Sequence, residues 1–224
     1  FKIKEINIYN SSVSITGAVI ENCVKYGIRI NFFYYSGRPI AHFISPALNG
    51  TIYTKRMQYE AYKNKVGVEI SKKLIIGKIK NQQNSIKYFI KNKEEGTVEK
   101  DNLRKMNILI NEIEKINFNN IESARGFIME KEAEAAKLYW ESVKLLVAEH
   151  YEFKNREYRG TNCLFNKMLN YGYGMLYSKA WGMIELAGLD AFAGFMHSEN
   201  KKAKGLILDF VEEYRAIVVD RVVI

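Results

Sequence analysis

The chain has 224 residues, 47% of them hydrophobic, and carries 34 Lys+Arg against 25 Asp+Glu for a formal net charge of +9. That length and apolar content suit one large or two small packed domains and exclude a disordered chain, while the positive charge favours a polyanionic partner such as nucleic acid. Cys23 and Cys163 share no motif spacing, no apolar run approaches the roughly 18 residues that span a bilayer, and no signal peptide is present, so the expected setting is a reducing cytoplasm with no membrane partner.

Residues 1–50 are β-rich. Ile3, Ile6 and Ile8 fit a first strand, and its start at Phe1 suggests that further N-terminal strands are missing. Ile15 to Tyr26 reads as a helix ended by Gly27. Ile28 to Tyr35 is a strand, Ser36-Gly37-Arg38-Pro39 has turn chemistry, and Ile40 to Ile44 is a second strand closed by Pro46, a hairpin. After Gly50 the texture becomes helical. The pattern predicts a lysine-rich helical stretch over 53–92 with a break near Gly67, then helices over 103–116 and 121–147. A basic, aromatic connector spans 151–160. A helix over 161–187, capped by Thr161, an apolar segment ending at His197, a polar loop over 198–204 and a last helix over 205–219 follow. The fold class is therefore α+β, a small N-terminal β-rich domain (1–50) followed by a larger all-helical domain (51–224).

Three signals carry chemistry. In the helix over 121–147, apolar positions recur at Ile128, Ala135, Ala136, Tyr139, Val143 and Leu146, and at about 100° per residue Glu132 falls within that stripe. A carboxylate there requires a compensating cation, a metal or a shifted pKa, and Arg125, two turns earlier, is the plain ion-pair candidate. In the last helix Asp209, Glu212, Glu213 and Asp220 lie opposite Ile207, Phe210, Val211, Tyr214 and Val218. That face is either a solvated acidic surface or, through Asp209 and Glu212, a carboxylate pair for a divalent cation. His197 ends the apolar segment 191–196 and is either structural or a ligand. A glutamate, a histidine and an acidic pair on three helical segments of a basic protein suit Mg²⁺ or Mn²⁺, with histidine tilting the choice toward Mn²⁺, and phosphodiester chemistry needs such a site.

These residues sit in blocks that resemble a known family. Glu132-Ala133-Glu134-Ala135-Ala136-Lys137-Leu138-Tyr139-Trp140, Asn166 to Leu176, Gly188 to His197 and Leu208 to Arg215 occur in the order of the CRISPR spacer-acquisition integrases, the Cas-one (Cas1) family. Gln58-Tyr59 and Lys78-Ile79-Lys80-Asn81-Gln82 are similar to its weaker upstream blocks. The resemblance implies that Glu132, His197 and Glu212 ligate the catalytic metal with Asp209 beside them. It implies an N-terminal domain used in dimerisation and a helical catalytic domain. It implies a metal-dependent integrase/endonuclease in which the 3′-hydroxyl of a short double-stranded spacer fragment attacks a phosphodiester at the CRISPR repeat. Relatives of this kind act as dimers of dimers, usually bridged by the Cas-two (Cas2) protein.

Candidate DNA contacts are Lys55, Arg56, Arg156, Arg159, Lys201, Lys202 and Lys204, with Arg156 and Arg159 preferred and Asn170 as a hydrogen-bond donor near the site. Three rivals share these residues, namely a transposon-borne integrase relative, a simple metal-dependent nuclease and a non-catalytic DNA-binding scaffold subunit.

Overall fold

The computed structural model describes residues 3–10, 12–35, 39–43, 52–91, 97–158, 160–197 and 204–224. It is an α+β chain. A three-stranded sheet is formed by β1 (Glu5–Ile8), β2 (Arg29–Phe33) and β3 (Pro39–Phe43), in the order β1-β2-β3. β1 and β2 run parallel, in register from Glu5 opposite Arg29 to Ile8 opposite Phe32, joined through α1 (Gly17–Lys25). Gly27, at φ +64°, takes the left-handed backbone that ends α1, as its glycine predicts. β2 and β3 pair antiparallel, with Ile30 opposite Phe43. Pro39 belongs to β3 rather than to the turn; as the first residue of an edge strand it gives up no interior ladder bond. β3 covers most of the strand expected over Ile40 to Ile44, while the rest of the expected turn (36–38) and residues 44–46, with the closing Pro46, lie outside the described residues.

The helical part consists of α2 (Ile52–Tyr62), α3 (Lys65–Ile90), α4 (Thr97–Lys115), α5 (Ile121–Lys144), α6 (Leu164–Leu186) and α7 (Gly205–Arg215). The break expected at Gly67 falls at Lys63-Asn64, because the Asn64 side chain accepts the Val66 N–H at 2.8 Å and caps α3. Gly67 lies inside the first turn of α3, where a Cβ would stand 2.4 Å from the Ala61 carbonyl oxygen. α4 begins six residues before Leu103. Its polar first turns still pack, since buried Asn102 donates to Ser142 Oγ at 3.1 Å on α5. Cys163, not Thr161, is the N-cap of α6; the Thr161 hydroxyl accepts the Cys163 N–H at 3.2 Å just ahead of it. The last helix does not run straight to 219. After Arg215 it widens into a π-helical turn, Ala216–Asp220, before a final helical turn, Arg221–Val223. Ser85 Oγ on α3 donates to the Ala216 carbonyl at 3.0 Å at this widening, so the altered ladder is compensated from outside the helix.

α3 is the central element, packed against α4, α5 and α7, and α6 covers α7. Ile79, Ile86, Met106, Ile113, Ile128, Tyr139 and Val143 are fully buried between these helices. Burying each such aliphatic side chain stabilises by about 1.5–3 kcal/mol. Cys23, Ile30 and Phe33 are buried in the N-terminal part but stand outside this helical core. The sheet meets the second half of α6. Glu5 pairs with Lys179, and His42 Nε2 lies 2.8 Å from Glu185 with its ring edge-on to Trp181. His42 thus has an acidic partner that strand periodicity could not reveal. Arg29 passes over Gly182, where a Cβ would collide with its guanidinium. Among the described residues no helix is long and apolar enough to cross a membrane.

Candidate active site

α3, α5 and α7 converge on a cleft lined by Lys78, Gln82, Glu132, Trp140, Arg156, Tyr173, Glu212, Arg215 and Asp220. Glu132 does occupy the buried stripe of α5, with a side chain 24% exposed. Its partner is Lys78 of α3, which it contacts through Oε1. Arg125, the expected partner, instead donates to the Phe195 carbonyl and to the Tyr62 hydroxyl. The same Lys78 ammonium lies 2.6 Å from Glu212 Oε2, and Arg215 pairs with Glu212 Oε1. One buried ammonium is therefore shared by two glutamates from different helices. At that distance the Lys78 ammonium is both the charge partner and a hydrogen-bond partner of this buried oxygen. Burial pushes the Glu212 carboxyl up, but Lys78 and Arg215 outweigh it and hold it below the usual carboxylate range. Burial likewise pulls the Lys78 ammonium down, and Glu212 and Glu132 reverse the sign.

The acidic side of α7 is not a solvated face. Asp209, Glu212 and Asp220 are 2%, 5% and 2% exposed. They also have separate tasks. Asp209 Oδ2 accepts the N–H groups of Phe195 at 2.5 Å and Met196 at 3.0 Å, and Oδ1 accepts the His197 N–H at 3.0 Å and lies 2.6 Å from His197 Nδ1. An ionised Asp209 requires the proton on Nδ1, which leaves Nε2 with its lone pair. In its protonated form His197 is close enough to Glu212 for its charge to favour the ionised carboxyl, the smallest of the named influences there. Asp220, set inward by the π-helical turn, accepts the hydroxyls of Tyr139 at 2.8 Å and Tyr173 at 2.5 Å. Burial dominates there and raises its carboxyl to about 6, against the two tyrosine hydrogen bonds and the nearby Arg215 and Arg156.

The loop carrying His197 is fixed from several sides. Gln58 of α2 donates to the Asp190 and Ala193 carbonyls at 2.9 and 2.8 Å and accepts the Asp190 N–H at 2.8 Å. Tyr59 donates to Asp190 Oδ2 at 2.6 Å. Arg125 holds the Phe195 carbonyl from α5.

Of the candidate DNA contacts, Arg156 lines the cleft. Its guanidinium donates to Asn166 Oδ1 at 3.1 Å and Asn170 Oδ1 at 2.5 Å, and lies 4.5 Å from the centre of the Tyr158 ring. Asn170 thus acts through Arg156, and its amide donates to the Tyr158 carbonyl at 3.1 Å. Tyr173 is part of the site, whereas Tyr171 is exposed on another face of α6. Lys55 and Arg56 are exposed on α2, and Lys204 sits over the Trp181 ring at 3.6 Å; none of the three lines the cleft. Arg159, Lys201 and Lys202 lie outside the described residues. Sequence reasoning passed over Lys78 and Arg215 as site residues. A signal existed for Lys78, since it stands between Ile75 and Ile79 on the buried side of α3.

Among the described residues no group of three or more histidine, cysteine, aspartate or glutamate side chains is arranged to hold a metal ion. Two features nevertheless fit a divalent cation. The buried Glu212 Oε2 and the Glu132 carboxylate converge on one positive charge, the Lys78 ammonium, and Asp209 anchors the His197 ring through Nδ1, leaving Nε2 unused by that contact.

The fold is shared with solved proteins of one class, the Cas1 proteins and casposases. A casposase bound to its integration product aligns with 100% of this chain and 60% of its own, at TM-score 0.75 and 26% identity. A Cas1 protein from Thermotoga maritima aligns with 98% of this chain and 66% of its own, at TM-score 0.75 and 20% identity. The family model described as CRISPR associated protein Cas1 matches residues 1–224, and the chain belongs to that family. CRISPR-associated endonucleases Cas1 of Archaeoglobus fulgidus and Saccharolobus solfataricus are 30% and 34% identical over 99% and 93% of this chain. The chain spans 67% and 56% of the length of those two relatives.

Proposed function

We propose that this Cas1 chain is a metal-dependent DNA integrase of CRISPR adaptation, which joins the 3′-hydroxyl of a short double-stranded DNA fragment to a phosphodiester at a CRISPR repeat. The observation that carries the reading is the convergence of Glu132 and Glu212 on a single cation in the cleft, the Lys78 ammonium, with the His197 ring anchored by Asp209. Glu132, Glu212 and His197 are the residues that would hold Mg²⁺ or Mn²⁺. When bound, such an ion polarises the phosphoryl group and stabilises the charge that develops on it. Asp209 keeps the imidazole in the tautomer that offers Nε2 and does not itself face the cleft. Arg156, braced by Asn166 and Asn170, presents positive charge at the cleft wall where a phosphate would lie. Lys55, Arg56, Arg159, Lys201, Lys202 and Lys204 supply sequence-independent phosphate contacts in this reading.

Residues 1–50 form the dimerising unit and 51–224 the catalytic unit in this reading. The active assembly is a homodimer or a dimer of dimers on DNA in the cytoplasm. The solved neighbours include a Cas6-RT-Cas1–Cas2 complex at TM-score 0.74 and 19% identity, which supports a Cas2 partner for the fold. The casposase neighbour supports a second reading, integration of a transposon's own terminal repeats by the same site. Glu132→Ala tests the common core of both. The variant is expected to lose joining and nicking of DNA by at least 100-fold while binding duplex DNA within about threefold of wild type, on the scale of a lost catalytic group. Equal loss of binding and activity would contradict the assignment of Glu132 to the chemistry.

A further inference from the structure

Lys78 has the geometry of an occupant and not of a neighbour. Its side chain is 11% exposed, comes from a third helix, and places its ammonium at the one point where Glu132 and Glu212 meet. Glu212 has its other oxygen engaged by Arg215, so Oε2 is the oxygen left for a ligand, and Lys78 lies against it. Two cations cannot share that position, because the low-dielectric cleft would amplify their repulsion.

We propose that Lys78 is a resident cation that competes with the divalent metal for Glu132 and Glu212. This rests on the metal-site reading given above. Without metal, the ammonium keeps two half-buried or buried carboxylates ionised and convergent, a state that would otherwise collapse through repulsion or protonation. When the metal arrives it takes the two carboxylates, and the Lys78 ammonium must withdraw along the cleft. Gln82, one turn further along α3 and lining the same cleft, has a buried Oε1 without a hydrogen-bond partner that can accept from the displaced ammonium. One ammonium leaves the two carboxylates undercompensated, a divalent ion matches their charge, and the displaced ammonium stays protonated, so no proton need move. Metal affinity is thereby set lower than the two carboxylates alone would give, and the empty site remains folded.

The test is Mn²⁺ binding to the whole chain, followed by the loss of the free-ion electron paramagnetic resonance signal, together with melting temperature with and without Mn²⁺. Lys78→Met is expected to bind Mn²⁺ about tenfold more tightly than wild type. It is also expected to melt lower without metal and to gain more from Mn²⁺. Should the methionine variant not accumulate, Lys78→Gln, which keeps a donor for the glutamates without the charge, must show the same ordering. Lys78→Arg, which keeps the charge, should not bind Mn²⁺ more tightly than wild type. Unchanged or weaker Mn²⁺ binding in the neutral variants, with binding still abolished by Glu132→Gln, would overturn the proposal alone. Mn²⁺ binding that survives both Glu132→Gln and Glu212→Gln would overturn the metal site on which it rests.

Discussion

Asp209 illustrates how a buried carboxylate can matter without entering the cleft. Its two oxygens accept three consecutive backbone N–H groups and face the His197 ring. Asp209→Asn can still accept on one oxygen but presents a donor to the N–H groups on the other, leaving at least one buried N–H unsatisfied. A loss of about 1–3 kcal/mol in stability by denaturant unfolding is expected, with Mn²⁺ affinity falling about 10- to 100-fold. Unaltered metal affinity in a folded variant would show that His197 needs no anchoring. Asp220 gives a pH prediction. Its carboxyl is raised in the folded state to about 6, so the folded chain holds this proton more tightly than the unfolded one. The associated stability is full below the ordinary carboxylate value and is lost as pH rises through about 6. Asp220→Asn should therefore gain on wild type in melting temperature between pH 4.5 and 7.5; a difference independent of pH would rule this out.

The elements show why part of the site was legible in the sequence and part was not. Glu132 stood out because a helical period exposes a charge in an apolar stripe, and the period is a local property of α5. The ion-pair candidate on its own helix, Arg125, is not its partner; Lys78 lies 54 residues away on α3, and only packing brings the two together. The acidic side of α7 was ambiguous because periodicity cannot tell a solvated face from one covered by a second layer; α6 and the His197 loop cover it. The π-helical turn was invisible for the same reason, since its carbonyl is compensated by Ser85 from another helix. Strand and helix order in the N-terminal part was readable from alternation and from Gly27, but the parallel pairing of β1 and β2 is a topological fact. The loop at 190–197 offers a test at this scale. A Cβ on Gly194 would stand 2.3 Å from the Gly205 carbonyl carbon, in backbone that cannot swing aside. Gly194→Ala is expected to cost about 1–3 kcal/mol in stability and to displace His197, seen as a drop in both melting temperature and DNA joining. Wild-type values for both would mean that the loop and α7 can separate freely.

For the whole molecule, the division between a small sheet and a helical core places the cleft entirely in the helical part, while the sheet leans on α6 through Glu5–Lys179 and His42–Glu185. The formal charge of +9 predicts DNA binding that weakens steeply with salt, with little sequence preference outside the reacting strand. The most direct test of the central claim is strand transfer by the whole chain, with labelled duplex bearing free 3′-hydroxyls, supercoiled plasmid carrying a repeat, and Mn²⁺ or Mg²⁺. It should be run with and without a Cas2 protein, and beside Glu132→Ala and a chelator control. The proposal predicts label joined to plasmid by wild type, and none with chelator or with Glu132→Ala. Joining that persists in Glu132→Ala, or its absence from wild type under every condition while DNA binding is intact, would contradict it.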